Sequence, residues 1–233
     1  MMKLKMLFCA LSLCSFAVAG CTQEAVPSPK IVVIYGDSIT TGELLKDKQE
    51  RWASQVESQA GGALQVINEG KGGRPTNSLG DFEAMMKRRS RMDALVIALG
   101  GNDARDVSGR CVPNALRNVK TMVVRARESY GAALPILLVA PTNIRKDALG
   151  PSKPIANERE ANLIALNDAY PILAKEQNCA FVSTYDVVPH ESLKVDGVHP
   201  DAFGHAEIAK VMLPAILKLV GKERTAVAET TVP

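Results

Sequence analysis

Three histidines occur in this chain, so the search for a general base is short. His199 stands in Asp196-Gly197-Val198-His199-Pro200, with a carboxylate three residues before it. A carboxylate at that spacing can fix the imidazole tautomer and favour its protonated form. The base needs a nucleophile. Gly36-Asp37-Ser38-Ile39-Thr40 offers a serine in a glycine-flanked turn, where the Oγ can be exposed and the backbone can approach closely. A serine hydroxyl is a poor nucleophile at its own pKa and depends on such a base. Acyl transfer further requires donors aimed at a developing oxyanion. The backbone N–H groups of Ser38 and Gly73 and the side-chain amide of Asn102, in Gly100-Gly101-Asn102-Asp103, are candidates. Together these residue types would suit nucleophilic acyl transfer.

The elements that must position them follow from the apolar pattern. Short runs rich in Val, Ile and Leu at 31–35, 64–67, 94–99, 136–140 and 180–183 fit strands buried on both faces of a parallel sheet. Helical spacing of apolar residues marks 52–60, 114–130, 158–175 and 202–220. Pro113 falls near the start of the second, Asn157 is a candidate N-cap of the third, and Pro214 is placed to bend or divide the fourth. This alternation predicts a three-layer α/β/α domain with a mainly parallel five-stranded sheet. Each polar cluster directly follows a predicted strand or precedes the last helix. The clusters therefore share the carboxyl edge of the sheet, where open parallel sheets bind ligands. The long connection 141–156 follows the fourth strand and reads equally as a substrate wall or a solvated loop.

Singly each motif is a common turn; their order on one edge gives them weight. The four blocks resemble those of the SGNH hydrolases, the GDSL esterase and lipase superfamily. Gly36-Asp37-Ser38-Ile39 matches the first block with Ile for the usual Leu, and Gly73 stands five residues after Asn68 where the second-block glycine is expected. Gly100-Gly101-Asn102-Asp103 and Asp196-Gly197-Val198-His199 match the third and fourth. The resemblance spans roughly residues 31–220. It implies a compact flavodoxin-like fold, Ser38 as nucleophile and first oxyanion donor, Gly73 and Asn102 as further donors, His199 as base and Asp196 behind it. It implies no metal or cofactor. The stretch Glu69-Gly70-x-x-Gly73-Arg74-x-Thr76-Asn77 looks further like the arylesterase and acyltransferase branch, and carbohydrate acetylesterases also carry Gly-Arg there. Arg74, with Asp37 and Asp103, is a candidate substrate contact; Arg74 reads equally as a structural residue. The chain does not resemble an α/β-hydrolase, whose Gly-x-Ser-x-Gly elbow would need glycine at position 40, which is Thr.

Two other readings compete. Asp196, His199, Asp201 and His205 lie within ten residues and could ligate a metal, but this leaves Ser38, Gly73 and Asn102 unused. A binding protein that kept the fold and lost catalysis would be expected to lack a catalytic position, and none is missing. His190, beside Pro189, reads as surface.

The N-terminus reads as an export signal. Lys3 and Lys5 precede an apolar run from 6 to 18 that is too short for a spanning helix of about 20 residues. Val18-Ala19-Gly20-Cys21 resembles a lipobox, which predicts a signal at 1–20, a lipidated Cys21 with a tether to residue 29, a hydrolase domain at 30–221 and a flexible tail at 222–233. The protein is then expected in the cell envelope, held at a membrane by its N-terminal lipid, and in the periplasm or at the outer membrane of a Gram-negative cell. Removing residues 1–20 takes away two lysines and no acid, which leaves 26 basic against 25 acidic residues. A nearly neutral domain implies no nucleic-acid partner. Cys111 and Cys179 are expected as free thiols, although an exported location would permit a disulfide. Aromatic residues make up 4 % of the chain, and Trp52 has core spacing, so no platform for a long glycan is evident. No long apolar lid is present either. The expected substrate is a small ester or acylated glycan with a short acyl group, acetyl first; a lysophospholipase or thioesterase acting on longer chains is the alternative. Transfer of the acyl group to an alcohol instead of water stays open.

Overall fold

The computed structural model describes the backbone of residues 28–229 and the side chains of residues 28–221. The expected signal, the lipobox with Cys21 and most of the tether lie outside the described residues. Five strands form one parallel sheet: β1 (Lys30–Gly36), β2 (Leu64–Gly70), β3 (Ala94–Ala98), β4 (Ile136–Ala140) and β5 (Ala180–Ser183), in the order β2-β1-β3-β4-β5. The expected three-layer α/β/α fold is present.

Side chains alternate along these strands and feed two cores. Val33 and Tyr35 of β1, with Leu95 and Ile97 of β3, face α3 (Leu79–Arg88), α4 (Cys111–Tyr130) and α5 (Ala156–Glu176). Val32, Ile34, Ala94 and Val96 face the other way, toward α2 (Trp52–Gln59) and α6 (Ala202–Glu229). Helices on both faces explain why the inner strands read as unbroken apolar runs. The edge strand β2 is only half-buried, and it extends past the predicted 67 because Asn68, Glu69 and Gly70 continue the ladder opposite Ile34, Tyr35 and Gly36.

Several boundaries differ from the sequence reading. Helix α3 was not anticipated; Phe82 and Met85 are its buried face. Helix α5 begins at Ala156 without a side-chain cap, so Asn157 is inside the helix and does not cap it. Helix α6 runs unbroken through Pro214 to Glu229, so residues 222–229 continue a helix where a frayed tail was expected. The connection 141–156 contains two 3-10 turns, Lys146–Ala148 and Gly150–Ile155. Cys111 is buried, Cys179 is half-buried, and both are free thiols. Among the described residues no helix is long and apolar enough to cross a membrane.

The strand order sets the site. The chain leaves β1 to form β2 on one side, then crosses to form β3 on the other. The carboxyl ends of β1 and β3 therefore flank the crevice where the winding reverses, the usual ligand position in doubly wound sheets.

Candidate active site

The turn after β1 is built around Ser38. It opens α1 (Ser38–Thr41), a single helical turn capped by Asp37, whose carboxylate accepts from Ile39 N–H at 3.0 Å. As the first helical residue, Ser38 has an amide with no intrahelical acceptor. Gly36 is required here: a Cβ would lie 2.0 Å from Thr40 Oγ1. Asn68 braces this turn against β2. Its amide donates to Thr40 C=O at 2.7 Å and its carbonyl oxygen accepts from Gly70 N–H at 2.9 Å.

The second and third blocks are tied together. Asn102 Nδ2 donates to Arg74 C=O at 3.2 Å, which brings the side-chain amide beside the exposed turn that holds Gly73. At 3.2 Å this bond is long and exchangeable for a better acceptor. Arg74 is buried, donates from Nη1 to Gly36 C=O at 2.6 Å and to Glu69 C=O, and lies 4.0 Å from the centre of the Tyr35 ring. Asp103 accepts from Thr76 N–H at 2.9 Å and from Thr76 Oγ1 at 2.5 Å, and Asn118 donates to that same hydroxyl at 3.2 Å. Of the two readings of Arg74, these bonds favour the structural one; with those of Asp103, a candidate substrate contact, they lace the 70–76 loop to β1 and to the loop after β3.

The fourth block sits on a closed loop. Leu193 and Pro200 form an antiparallel bridge, and Lys194 N–H donates to His199 C=O at 2.8 Å. Gly197 has φ +69°, and a Cβ there would strike Arg145 C=O at 2.3 Å. Asp196 holds His199 three ways. Its Oδ2 meets His199 Nδ1 at 2.5 Å, and its Oδ1 accepts from the N–H groups of Val198 and His199 at 3.0 Å each. Burial pushes the Asp196 carboxyl up, but these bonds outweigh it and hold the group below the ordinary carboxylate value. With Nδ1 engaged, Nε2 is the free edge of the ring. It is buried and has no hydrogen-bond partner among the described residues, Ser38 included. A buried nitrogen left open beside a cleft suits a base whose partner bond tightens once substrate arrives.

Ser38, Asn102 and Val198 line one cavity at the crevice, together with Pro141, Thr142 and Ile144 from the connection after β4. That connection is therefore a wall of the site. The cavity is narrow, about 50 Å³. Asp37 lines it as well; burial raises its pKa to about 6, against smaller lowering effects of the Ile39 N–H and of His199. Trp52, expected in the core, is 2 % exposed and also reaches the cavity.

The residues of the rival metal reading are otherwise engaged. Asp201 Oδ1 accepts from Gly204 N–H at 2.9 Å at the start of α6. His205 is fully buried, its Nδ1 accepts from Trp52 N–H at 3.3 Å, and burial lowers its pKa to about 4. Among the described residues no group of three or more His, Cys, Asp or Glu side chains is arranged to hold a metal ion. His190 is exposed.

One cavity residue was missed. Arg159, on the first turn of α5, is only 5 % exposed and lines the cavity. The buried positions 159, 163, 166, 170 and 173 fall at helical spacing. An arginine in register with an apolar stripe was the signal that could have revealed it.

Fold and site together define a carboxylic ester hydrolase on a three-layer α/β/α scaffold. The chain matches the model of the GDSL-like lipase/acylhydrolase family over residues 34–207 and belongs to that family. Solved structures share the fold. A carbohydrate acetylesterase family member from Sinorhizobium meliloti is 23 % identical with a TM-score of 0.69, covering 82 % of this chain and 99 % of its own. An aryl esterase from M. smegmatis is 20 % identical with a TM-score of 0.71 and the same two coverages. An acetyl-xylooligosaccharide esterase mutant from Geobacillus is 19 % identical with a TM-score of 0.63, covering 81 % of this chain and 94 % of its own. No curated protein sequence matches.

Proposed function

We propose that this protein hydrolyses short-chain carboxylic esters, acetyl esters first, through an acyl-enzyme on Ser38. The observation that carries this reading is the Asp196–His199 pair, whose open Nε2 is buried beside the cleft that Ser38 and Asn102 line. In the first half-reaction His199 Nε2 takes the Ser38 proton as Oγ bonds to the ester carbonyl carbon. The carbonyl oxygen gains the negative charge, facing the amides of Ser38 and Gly73 and the side chain of Asn102. Collapse breaks the carbon–oxygen bond to the alcohol, which leaves with the proton from the imidazolium. Water then repeats the sequence on the acyl-serine and restores the free hydroxyl. Asp196 keeps the Nδ1 proton in place and stabilises the cation at each stage.

Cavity size supports a short acyl group. A protein cavity of about 150 Å³ accommodates benzene, whereas this one is about 50 Å³. The acetylesterase and aryl esterase structures that share the fold favour small esters or acetylated sugars as the substrate class. Export and anchoring through Cys21 belong to the same proposal and rest on the motif at residues 18–21. The test is release of 4-nitrophenol from esters of two to ten carbons, with Ser38→Ala as control. Turnover is expected to be highest at two to four carbons and to vanish in the variant. Rates rising toward long chains would favour the lysophospholipase or thioesterase alternative, and an unchanged Ser38→Ala rate would overturn the mechanism.

A further inference from the structure

Arg159 has no role in the chemistry just described, yet it stands in the same cavity as Ser38 and Asn102. Its guanidinium forms no hydrogen bond or ion pair with any described residue, and Nε is fully shielded from solvent without a partner. The nearby carboxylates attract the charge from a distance but neither bonds to it: Asp37 Oδ1 accepts from Ile39 N–H, and Asp196 is held by His199. Arginine does not neutralise itself by losing a proton in proteins, so a charge this far removed from solvent is kept at a cost that an anionic partner in the cavity would offset. Arg105, exposed nearby, adds a second positive charge and cannot supply that partner.

We propose that Arg159 receives a carboxylate carried by the ester substrate, which makes this an esterase for acid-bearing esters. The inference rests on the esterase reading above and refines its substrate class. A planar carboxylate matches the guanidinium fork with two parallel bonds, and it is the smaller of the common biological anions for so narrow a cavity. The acid could belong to the alcohol half, as in an acetylated hydroxy acid or sugar acid, or to the acyl half, as in a monoester of a short dicarboxylic acid. Both present the same group to Arg159.

Two substrate pairs separate these sources. 4-Acetoxybenzoate against methyl 4-acetoxybenzoate probes the alcohol half, and monoethyl succinate against ethyl butyrate probes the acyl half. The protein is expected to favour the anion in one pair by about tenfold to a hundredfold in kcat/KM, the range of one charge-assisted interaction. Arg159→Met and Arg159→Gln should erase that ratio, and Arg159→Lys should keep part of it. A second readout is independent of turnover. Trp52, the one tryptophan of the chain, lines the cavity. Its fluorescence should respond to N-acetylglycinate at lower concentration than to N-acetylglycinamide, a difference expected to disappear in Arg159→Met. Equal handling of charged and neutral members in both pairs, or a preference that survives Arg159→Met, overturns the proposal. Loss of anion discrimination with 4-nitrophenyl acetate still cleaved would leave the esterase reading standing. Anion discrimination by fluorescence without any cleavage would instead support Arg159 and sink the esterase reading.

Discussion

Asp37 offers a prediction whose size can be worked from the structure. Its carboxyl is buried beside Ser38, and that burial lifts its pKa from the ordinary 3.8 to about 6. In the unfolded chain the group ionises near the ordinary value. Above pH 6 the folded state therefore carries a charge that the unfolded state holds more cheaply. At 1.36 kcal/mol for each tenfold change in the acidity constant, Asp37 costs about 3 kcal/mol at neutral pH. Below about pH 3 the carboxyl is neutral in both states and the cost disappears. Asp37→Asn removes the charge, keeps the volume and keeps an oxygen to accept from Ile39 N–H; Asn caps helices as well as Asp. The variant should gain stability over the parent progressively as pH rises, about half of the gain present near pH 5 and the full 3 kcal/mol or so by pH 8. Urea denaturation of both proteins at pH 4.5, 5, 6, 7 and 8 measures it. A difference that is flat across this range, or that shrinks as pH rises, would refute the burial argument. Retaining so costly a group next to Ser38 fits the usual compromise between stability and activity at a working site.

Other expectations concern the machinery and its braces. Asn102→Ala removes one proposed oxyanion donor and should lower kcat about a hundredfold to a thousandfold with little change in KM, read from steady-state kinetics on 4-nitrophenyl acetate. Asp196→Asn should lower kcat about a thousandfold or more without unfolding the protein, since the ring loses its tautomer control; circular dichroism checks the fold. Thr76→Val removes the hydroxyl bond to Asp103 and leaves the buried Asn118 amide without its acceptor, and should cost about 1–3 kcal/mol in a urea melt. Gly36→Ala forces a Cβ into Thr40 and should abolish activity by displacing Ser38, detectable as loss of 4-nitrophenyl acetate turnover.

Local pattern carried most of the scaffold. The inner strands β1, β3 and β4 are buried on both faces, so their sequences could only be apolar runs, and the five-fold alternation of strand and helix led to the observed layers. The ends were harder to see. Asn68, Glu69 and Gly70 look like loop but extend β2, because an edge strand tolerates polar side chains. Helix α3 has four apolar residues in helical register, yet a Pro-containing loop before it and the basic run 87–91 after it hid the pattern. The same division holds at the site. Asp196 and His199 pair across three residues, a spacing visible in the chain. Arg74 bonds to Gly36, 38 residues away, and Asp103 to Thr76, 27 away. Those partners are created by strand order, so nothing local distinguishes a brace from a substrate contact. Arg159 was overlooked for the opposite reason, since a single arginine in a helix ordinarily faces solvent, and only its register with Leu163, Leu166 and Tyr170 places it inside.

The nucleophile can be asked for directly. Incubation with a fluorophosphonate followed by intact-mass and peptide spectrometry should give one adduct per chain, on Ser38, with ester hydrolysis lost in proportion. The His199→Ala protein should label far more slowly. Hydrolysis that persists with Ser38 fully modified, or a stoichiometric adduct at some other hydroxyl, would contradict the convergence of these distant residues on one reacting carbonyl.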